Sequence, residues 1–252
     1  MVASFRLDGR RAIVTGASRG LGAAMARALA EAGADVAGVA TGDLAATGSI
    51  VRDRGRRFVA IAEDLADPDA PGRIVTRTVE TLGGVDILVN NAGIIRRADA
   101  LDFTAGDWND VLDVNLKAAF FLAQAVARRL VEQRHGGKIV NVASMLSYQG
   151  GVRVASYTAS KSGILGLTRL LANEWAARGI NVNAIAPGYM ATDNTAPLRA
   201  DPHRSAEILA RIPAGRWGEP SDLDGAAVFL ASPASDYVHG TTIAVDGGWL
   251  AR

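Results

Sequence analysis

Short apolar runs alternate with stretches of helical spacing from one end of the chain to the other. Ala12-Ile13-Val14 reads as a strand that enters a glycine-rich turn. Residues 21–32 carry Leu21, Met25, Ala28 and Leu29 on one face, the spacing of a helix, and Gly33 stands where helices commonly stop. Further apolar runs at 36–40, 58–62, 85–89, 138–143, 180–185 and 241–245 predict strands. Helical spacing covers 43–54, 67–82 and 155–177, and 108–132 reads as one long helix. The strand runs are apolar almost throughout, as in strands covered on both faces. This repetition predicts an α/β fold: a doubly wound parallel sheet of about seven strands, helices on both faces, in a single domain over 1–252. The stretch 192–216, with Pro197, Pro202 and Pro213, breaks the pattern and is expected to be an irregular substrate lid.

The turn after the first strand is Thr15-Gly16-Ala17-Ser18-Arg19-Gly20-Leu21-Gly22. Glycines let backbone approach a phosphate, and the helix that follows offers free N–H groups and a partial positive charge. The spacing Gly-x3-Gly-x-Gly is not the common Gly-x-Gly-x2-Gly fingerprint. A purely structural turn, however, needs one glycine or two, and this one has three, so it points to a dinucleotide. Gly16-Ala17-Ser18-Arg19-Gly20 also fits the Gly-x-Ser-x-Gly elbow of α/β-hydrolases, with His135-Gly136-Gly137 resembling an oxyanion loop. That reading fails on order, because the hydrolase loop precedes its nucleophile and His135 follows Ser18.

Tyr157 and Lys161 stand four residues apart near the start of a predicted helix, so they share a face. Ser144 lies just past the fifth strand run, at the sheet end where ligands of open parallel sheets bind. The trio suits interconversion of a carbonyl and an alcohol, in which a proton moves with a hydride. A phenol with a pKa of about 10 is a poor base at neutral pH, and lowering it by about three units requires roughly 4 kcal/mol. An ammonium about 4 Å away supplies roughly that much at an effective dielectric of about 20. Lys161 is the expected source, with Ser144 holding the substrate oxygen against Tyr157.

With these residues in view, the sequence resembles the short-chain dehydrogenase/reductase family. The resemblance rests on the turn 15–22, Asn90-Asn91-Ala92-Gly93, Asn115, Ser144, Tyr157, Lys161 and Pro187-Gly188, and it covers essentially the whole chain. It implies a Rossmann-like sheet and a catalytic set of Asn115, Ser144, Tyr157 and Lys161, in which Asn115 holds a water in a proton relay. It further implies cofactor contacts from Gly16, Ser18, Arg19, Gly20, Leu21 and Gly22, and from Tyr157 and Lys161. Asp64 and Leu65 would lie by the adenine, and Asn91, Ala92 and Gly93 by the ribose. Pro187, Gly188, Met190 and Thr192 would line the nicotinamide. The segments 90–97, 143–153, 208–218 and 246–252 resemble a branch of the family that acts on deoxy sugar acids. A sugar-acid carboxylate calls for a cation, and Arg96, Arg97 and Arg153 are the candidates. The branch implies NAD(H). Yet no acid stands at the end of the second strand, and Arg19 with Thr41 could meet the 2′-phosphate of NADP(H), so the two cofactors stay open. The same chemistry on another carbonyl, such as a 3-oxoacyl thioester, and a non-catalytic nicotinamide sensor are the alternatives.

Composition narrows the partners. Lys plus Arg is 27 against 26 for Asp plus Glu, a net charge of +1, so no bulk field draws the chain to nucleic acid or anionic membrane. The absence of cysteine excludes disulfides and thiolate chemistry. His135, His203 and His239 show no ligand spacing, so no metal is expected, and Arg52, Arg54, Arg56 and Arg57 read as a solvated face. The start lacks an apolar leader core and no apolar run reaches about 18 residues, so a cytoplasmic protein is expected. Helices at 108–132 and 155–177 carry more apolar surface than one sheet face needs, and the family resemblance implies a homotetramer built on them.

Overall fold

The computed structural model describes residues 2–252; Met1, where the segment read for a leader begins, lies outside them. Seven strands, β1 Arg11–Thr15, β2 Asp35–Ala40, β3 Phe58–Ala62, β4 Ile87–Asn90, β5 Gly137–Val142, β6 Ile180–Pro187 and β7 Thr242–Val245, form one sheet in the order β3-β2-β1-β4-β5-β6-β7. Every pairing is parallel. Alternate residues of β1 serve opposite faces, as the two-residue period of a strand requires. Ala12 and Val14 join the core under α1 (Gly20–Ala32), α2 (Ala45–Arg52) and α9 (Asp224–Ala231). Ile13 joins the core under α3 (Ala70–Leu82), α5 (Ala118–Gln133) and α6 (Ala155–Trp175). Gly33 ends α1 at φ 116°, the left-handed position that its place in the sequence predicted.

Three elements differ from the sequence reading. The long helix expected over 108–132 begins earlier, as α4 (Ala105–Leu112), because Thr104 caps it by accepting from Asp107 N at 3.1 Å. It is then interrupted by a π-turn, Asp113–Lys117, before α5. One extra residue in a turn leaves the apolar spacing nearly intact, so periodicity does not reveal it. The stretch 192–216 is mostly helical, not irregular: α7 (Ala196–Ala200) and α8 (Pro202–Arg211) follow one another. Pro197 and Pro202 lie in the first turns of helices rather than breaking them, and Pro213 follows the end of α8. Pro202 is the first residue of α8, where it gives up an N–H that would have no partner, and Asp201 accepts from the N–H groups of His203 and Arg204. The unpredicted α9 is short and apolar on most sides, Asp-Gly-Ala-Ala-Val-Phe-Leu-Ala, and lies against α1.

Two adjacent asparagines hold the middle of the sheet. Asn90, buried, donates to Asn141 Oδ1 at 3.0 Å and to the Ala119 carbonyl at 3.1 Å, and Asn141 donates to Thr168 Oγ1 at 3.0 Å. Asn91 crosses the other way and donates to the Thr15 carbonyl at 2.9 Å. Thr15 Oγ1 accepts from the N–H groups of Asn91 and Ala92 at 3.0 Å each. These bonds join β1 to β4 at the point where the strand order reverses, and that point is where the main cavity opens.

Candidate active site

A cavity of about 630 Å³ lies over the carboxyl ends of the strands. Its first wall is the turn after β1. Gly16 sits at φ 65°, and a Cβ on Gly22 would collide with the Gly16 carbonyl oxygen and crowd Asn91 Nδ2. Gly22 therefore shapes the turn from behind, while Gly16, Ser18, Arg19, Gly20 and Leu21 face the cavity. The start of α1 has no side-chain cap and no acid in its first turn, so its N–H groups remain available to an anion. Thr41 after β2, Asp64 and Leu65 after β3, and Asn91, Ala92 and Gly93 after β4 continue the wall. Pro187, Gly188, Met190 and Thr192 close the far end. Gly188 passes so close to Asp246 that a side chain there would strike its backbone.

Ser144, Tyr157 and Lys161 meet on the opposite wall. Ser144 follows β5 and caps a short turn, Met145–Ser147, accepting from Leu146 N at 3.1 Å. Ser147 Oγ accepts from Ser144 N at 3.2 Å and donates to the Lys161 carbonyl at 2.7 Å, which fastens the serine to α6. Lys161 is only 4% exposed, yet its Nζ has a single protein acceptor, the Val142 carbonyl at 2.7 Å. Burial pushes its pKa down to about 8. The Lys161 ammonium lies 5.7 Å from the centroid of the Tyr157 ring.

This geometry corrects the electrostatic expectation for the phenol. Burial dominates and pushes the Tyr157 pKa up; the Ser144 hydroxyl and then the Arg97 charge pull it down by less. Burial lowers the Lys161 pKa as well, and the groups that pull the phenol down are Ser144 and Arg97. In this state Tyr157 holds its proton, the form that donates to an oxygen gaining negative charge.

Asn115 does not line the cavity. The π-turn brings it beneath Gly93, and its side chain makes three hydrogen bonds. Oδ1 accepts from Ile94 N at 2.8 Å, and Nδ2 donates to the Ile94 carbonyl at 2.9 Å and to Ser160 Oγ at 3.3 Å. The side chain therefore holds the loop after β4 in place. The three arginines separate. Arg96 lines the cavity but already faces two carboxylates, Asp110 at 3.1 Å and Asp107 at 3.5 Å. Arg97 reaches Tyr157 through its charge and donates to the Asn194 carbonyl at 3.3 Å. Neither Arg97 nor Arg153 is on the cavity wall. The Arg153 backbone takes φ 64° and its side chain lies 3.8 Å from Asp99.

Sequence reasoning passed over Ser147 and Ser160, which fasten the catalytic loop and Asn115, and Asp193, Asn194 and Thr195, which line the cavity. A Ser-x2-Ser capping spacing at 144–147 and a Thr-x2-Thr spacing at 192–195 were the available signals. A smaller cavity of about 340 Å³ opens at the opposite end of the sheet, where Lys138 pairs with Asp236 and Asp86 with Arg10. Among the described residues no cluster of His, Asp and Glu could hold a metal, and no helix is long and apolar enough to cross a membrane.

The lysine makes stability depend on pH. Its folded pKa of about 8 is below the ordinary 10.5, so between these values the unfolded chain binds more protons and stability rises with pH. Lys161→Met removes that dependence. The stability of the variant relative to the parent falls by ~3 kcal/mol from pH 7 to above pH 10, on top of a constant cost for the Val142 bond. Urea unfolding at several pH values measures this, and a difference that does not change with pH refutes it.

Comparison with known proteins places the chain. The family model described as Enoyl-(Acyl carrier protein) reductase matches residues 16–250. The chain is 60% identical to 2-dehydro-3-deoxy-D-gluconate 5-dehydrogenase of Dickeya dadantii over 99% of its length and 98% of the relative's. It is 59% identical to the Escherichia coli enzyme of the same name over the whole of both chains. A crystal structure of an Agrobacterium tumefaciens protein named as a 2-deoxy-D-gluconate 3-dehydrogenase, with bound NADP, superposes at a TM-score of 0.94 with 56% identity, covering 99% of this chain and 100% of that one. With a parallel seven-stranded sheet, a three-glycine turn and Ser144, Tyr157 and Lys161 across one cavity, the chain belongs to the short-chain dehydrogenase/reductase family.

Proposed function

We propose that the protein interconverts a ketone and a secondary alcohol on a deoxy sugar acid of the 2-dehydro-3-deoxy-D-gluconate class, with a nicotinamide dinucleotide as its redox partner. The observation that carries the reading is the meeting of Ser144, Tyr157 and Lys161 across one cavity from the glycine turn. Full-length identity of 60% and 59% to enzymes of that name supports the substrate class. Two features fit a dinucleotide: a turn that only glycine permits at position 22, and a buried ammonium with one protein acceptor and further N–H groups to satisfy.

Each residue has a part. The N–H groups at Gly20 and Leu21 take the pyrophosphate; Asp64 and Leu65 flank the adenine; Asn91, Ala92 and Gly93 pass the ribose. Pro187, Gly188, Met190 and Thr192 bound the nicotinamide, which, when present, supplies or accepts the hydride. The Tyr157 hydroxyl gives a proton to the substrate oxygen in reduction and takes it back in oxidation. Ser144 donates to the same oxygen and fixes its distance from the phenol. Lys161 binds ribose hydroxyls and lends positive charge beside the phenol. Asn115 keeps the Gly93-Ile94 backbone beside Lys161. Arg97 is the substrate-carboxylate partner, since its charge acts on Tyr157, whereas Arg96 is already paired with two carboxylates and Arg153 lies by Asp99. NADP(H) is the preferred cofactor: Ala40 ends β2 and Thr41 follows it without an acid, and Arg19 stands at the cavity mouth with only a loose pairing to Asp193 at 3.3 Å. The exposed Trp108, Phe121 and Leu170 on α4, α5 and α6 form the interfaces of a homotetramer.

Tyr157→Phe lowers turnover of the sugar acid by about 10²- to 10⁴-fold while cofactor affinity by nicotinamide fluorescence holds steady; full turnover in this variant sinks the reading. In a steady-state panel, Arg19→Ala weakens NADPH by about ten- to a hundredfold and spares NADH, and Arg97→Ala raises KM for the sugar acid by a similar factor. Equal effects of Arg19→Ala on both cofactors, or an unmoved KM in Arg97→Ala, reject the respective assignment. Light scattering at micromolar protein gives the mass of four chains; a monomer rejects the assembly.

A further inference from the structure

The end of the chain folds back beneath the lid. The Asp246-Gly247-Gly248 turn, with Gly247 at φ 64° and Gly248 at φ 89°, delivers Trp249 among Met145, Ile208 and Ile212, and only 6% of Trp249 stays exposed. Met145 directly follows Ser144, whereas Ile208 belongs to α8. One indole thus packs at once on the loop that carries the serine and on the lid helix.

Polar contacts tie the same three parts. Gln149, at the far end of the serine loop, accepts from Trp249 Nε1 at 2.9 Å and from Arg211 Nη2 at 3.3 Å. The Arg211 guanidinium also lies over the indole, 4.1 Å from the ring centroid. Arg252 donates to the Ala210 carbonyl at 2.6 Å and the Arg211 carbonyl at 3.2 Å, filling acceptors that the end of α8 leaves open. Loop, lid and tail come from three distant stretches of sequence. They are joined through one amide oxygen and one indole, and neither Gln149 nor Trp249 lines the cavity.

We propose that Gln149 and Trp249 are positioning residues that clamp the Ser144 loop to the lid helix, so that two side chains touching neither substrate nor cofactor set the affinity for the sugar acid. The proposal rests on the reading that Ser144 and the lid bound the substrate. The clamp closes over the substrate end of the site and leaves the glycine turn and β2–β3 ends untouched, so its loss separates substrate affinity from cofactor affinity.

Trp249→Phe keeps an aromatic ring and removes the Nε1–H; Gln149→Ala removes the acceptor; Gln149→Glu keeps an acceptor for both donors. In the first two, KM for 2-dehydro-3-deoxy-D-gluconate rises about three- to tenfold, the loss of one hydrogen bond, while kcat and the cofactor Kd stay within about twofold. Amide hydrogen exchange at 145–149 and 202–211 quickens. The double variant is no worse than the worse single one, because both remove the same bond, and Gln149→Glu restores KM. An unchanged KM with unchanged exchange overturns the clamp, as does a parallel loss of substrate affinity, cofactor affinity and Tm. If the parent protein fails to turn over the sugar acid, the substrate assignment falls, and the exchange measurements alone then decide the clamp.

Discussion

A lysine ammonium held almost out of water is the constraint around which the site is arranged. Lys161 stands on α6, and the Val142 carbonyl at the end of β5 is its one protein acceptor. An ion in that position is costly unless further acceptors reach it, and its depressed pKa records that cost. The cavity beside it is where such acceptors come from. The same burial raises the pKa of the neighbouring phenol, so both groups are held away from their solution behaviour by one feature, exclusion of water.

Holding that geometry takes polar groups beyond Ser144, Tyr157 and Lys161. Ser147 binds the serine loop to the Lys161 carbonyl, and Asn115 binds the loop after β4 through both ends of its amide. Asn90, Asn91, Asn141 and Thr15 lie in or beside the sheet centre, where apolar residues would pack without cost, and each is satisfied by bonds across strands or to a helix. Buried amides of this kind lock register and spacing at the reversal point of the sheet, because a slipped strand would leave them unpaired. Around this fixed floor the segment after β6 and the end of the chain are joined differently, by apolar packing on Trp249.

The chain by itself was legible where local pattern and function coincide. Mostly apolar runs located all seven strands, because strands covered on both faces carry few polar positions to blur them, Asn90, Asn141, Asn181 and Asn183 among them. The three glycines marked the turn after β1, where a side chain on Gly22 would strike the Gly16 carbonyl and Gly16 and Gly20 take positive φ, and one helical turn between Tyr157 and Lys161 placed both on a face. Ser144 followed from its position past a strand end. Boundaries shifted by a few residues at most, and prolines in 192–216 were misread because helix starts and helix breaks use the same residue.

What belonged to the folded chain alone was everything set by contacts between distant segments. The π-turn that presents Asn115, the sorting of Arg96, Arg97 and Arg153, and the junction of Gln149, Arg211 and Trp249 leave almost no mark on local spacing. The charge state of the phenol also lay beyond local reading. A distance of one helical turn is written in the sequence, but the dielectric that decides whether burial or a neighbouring cation wins is made by side chains from the whole molecule.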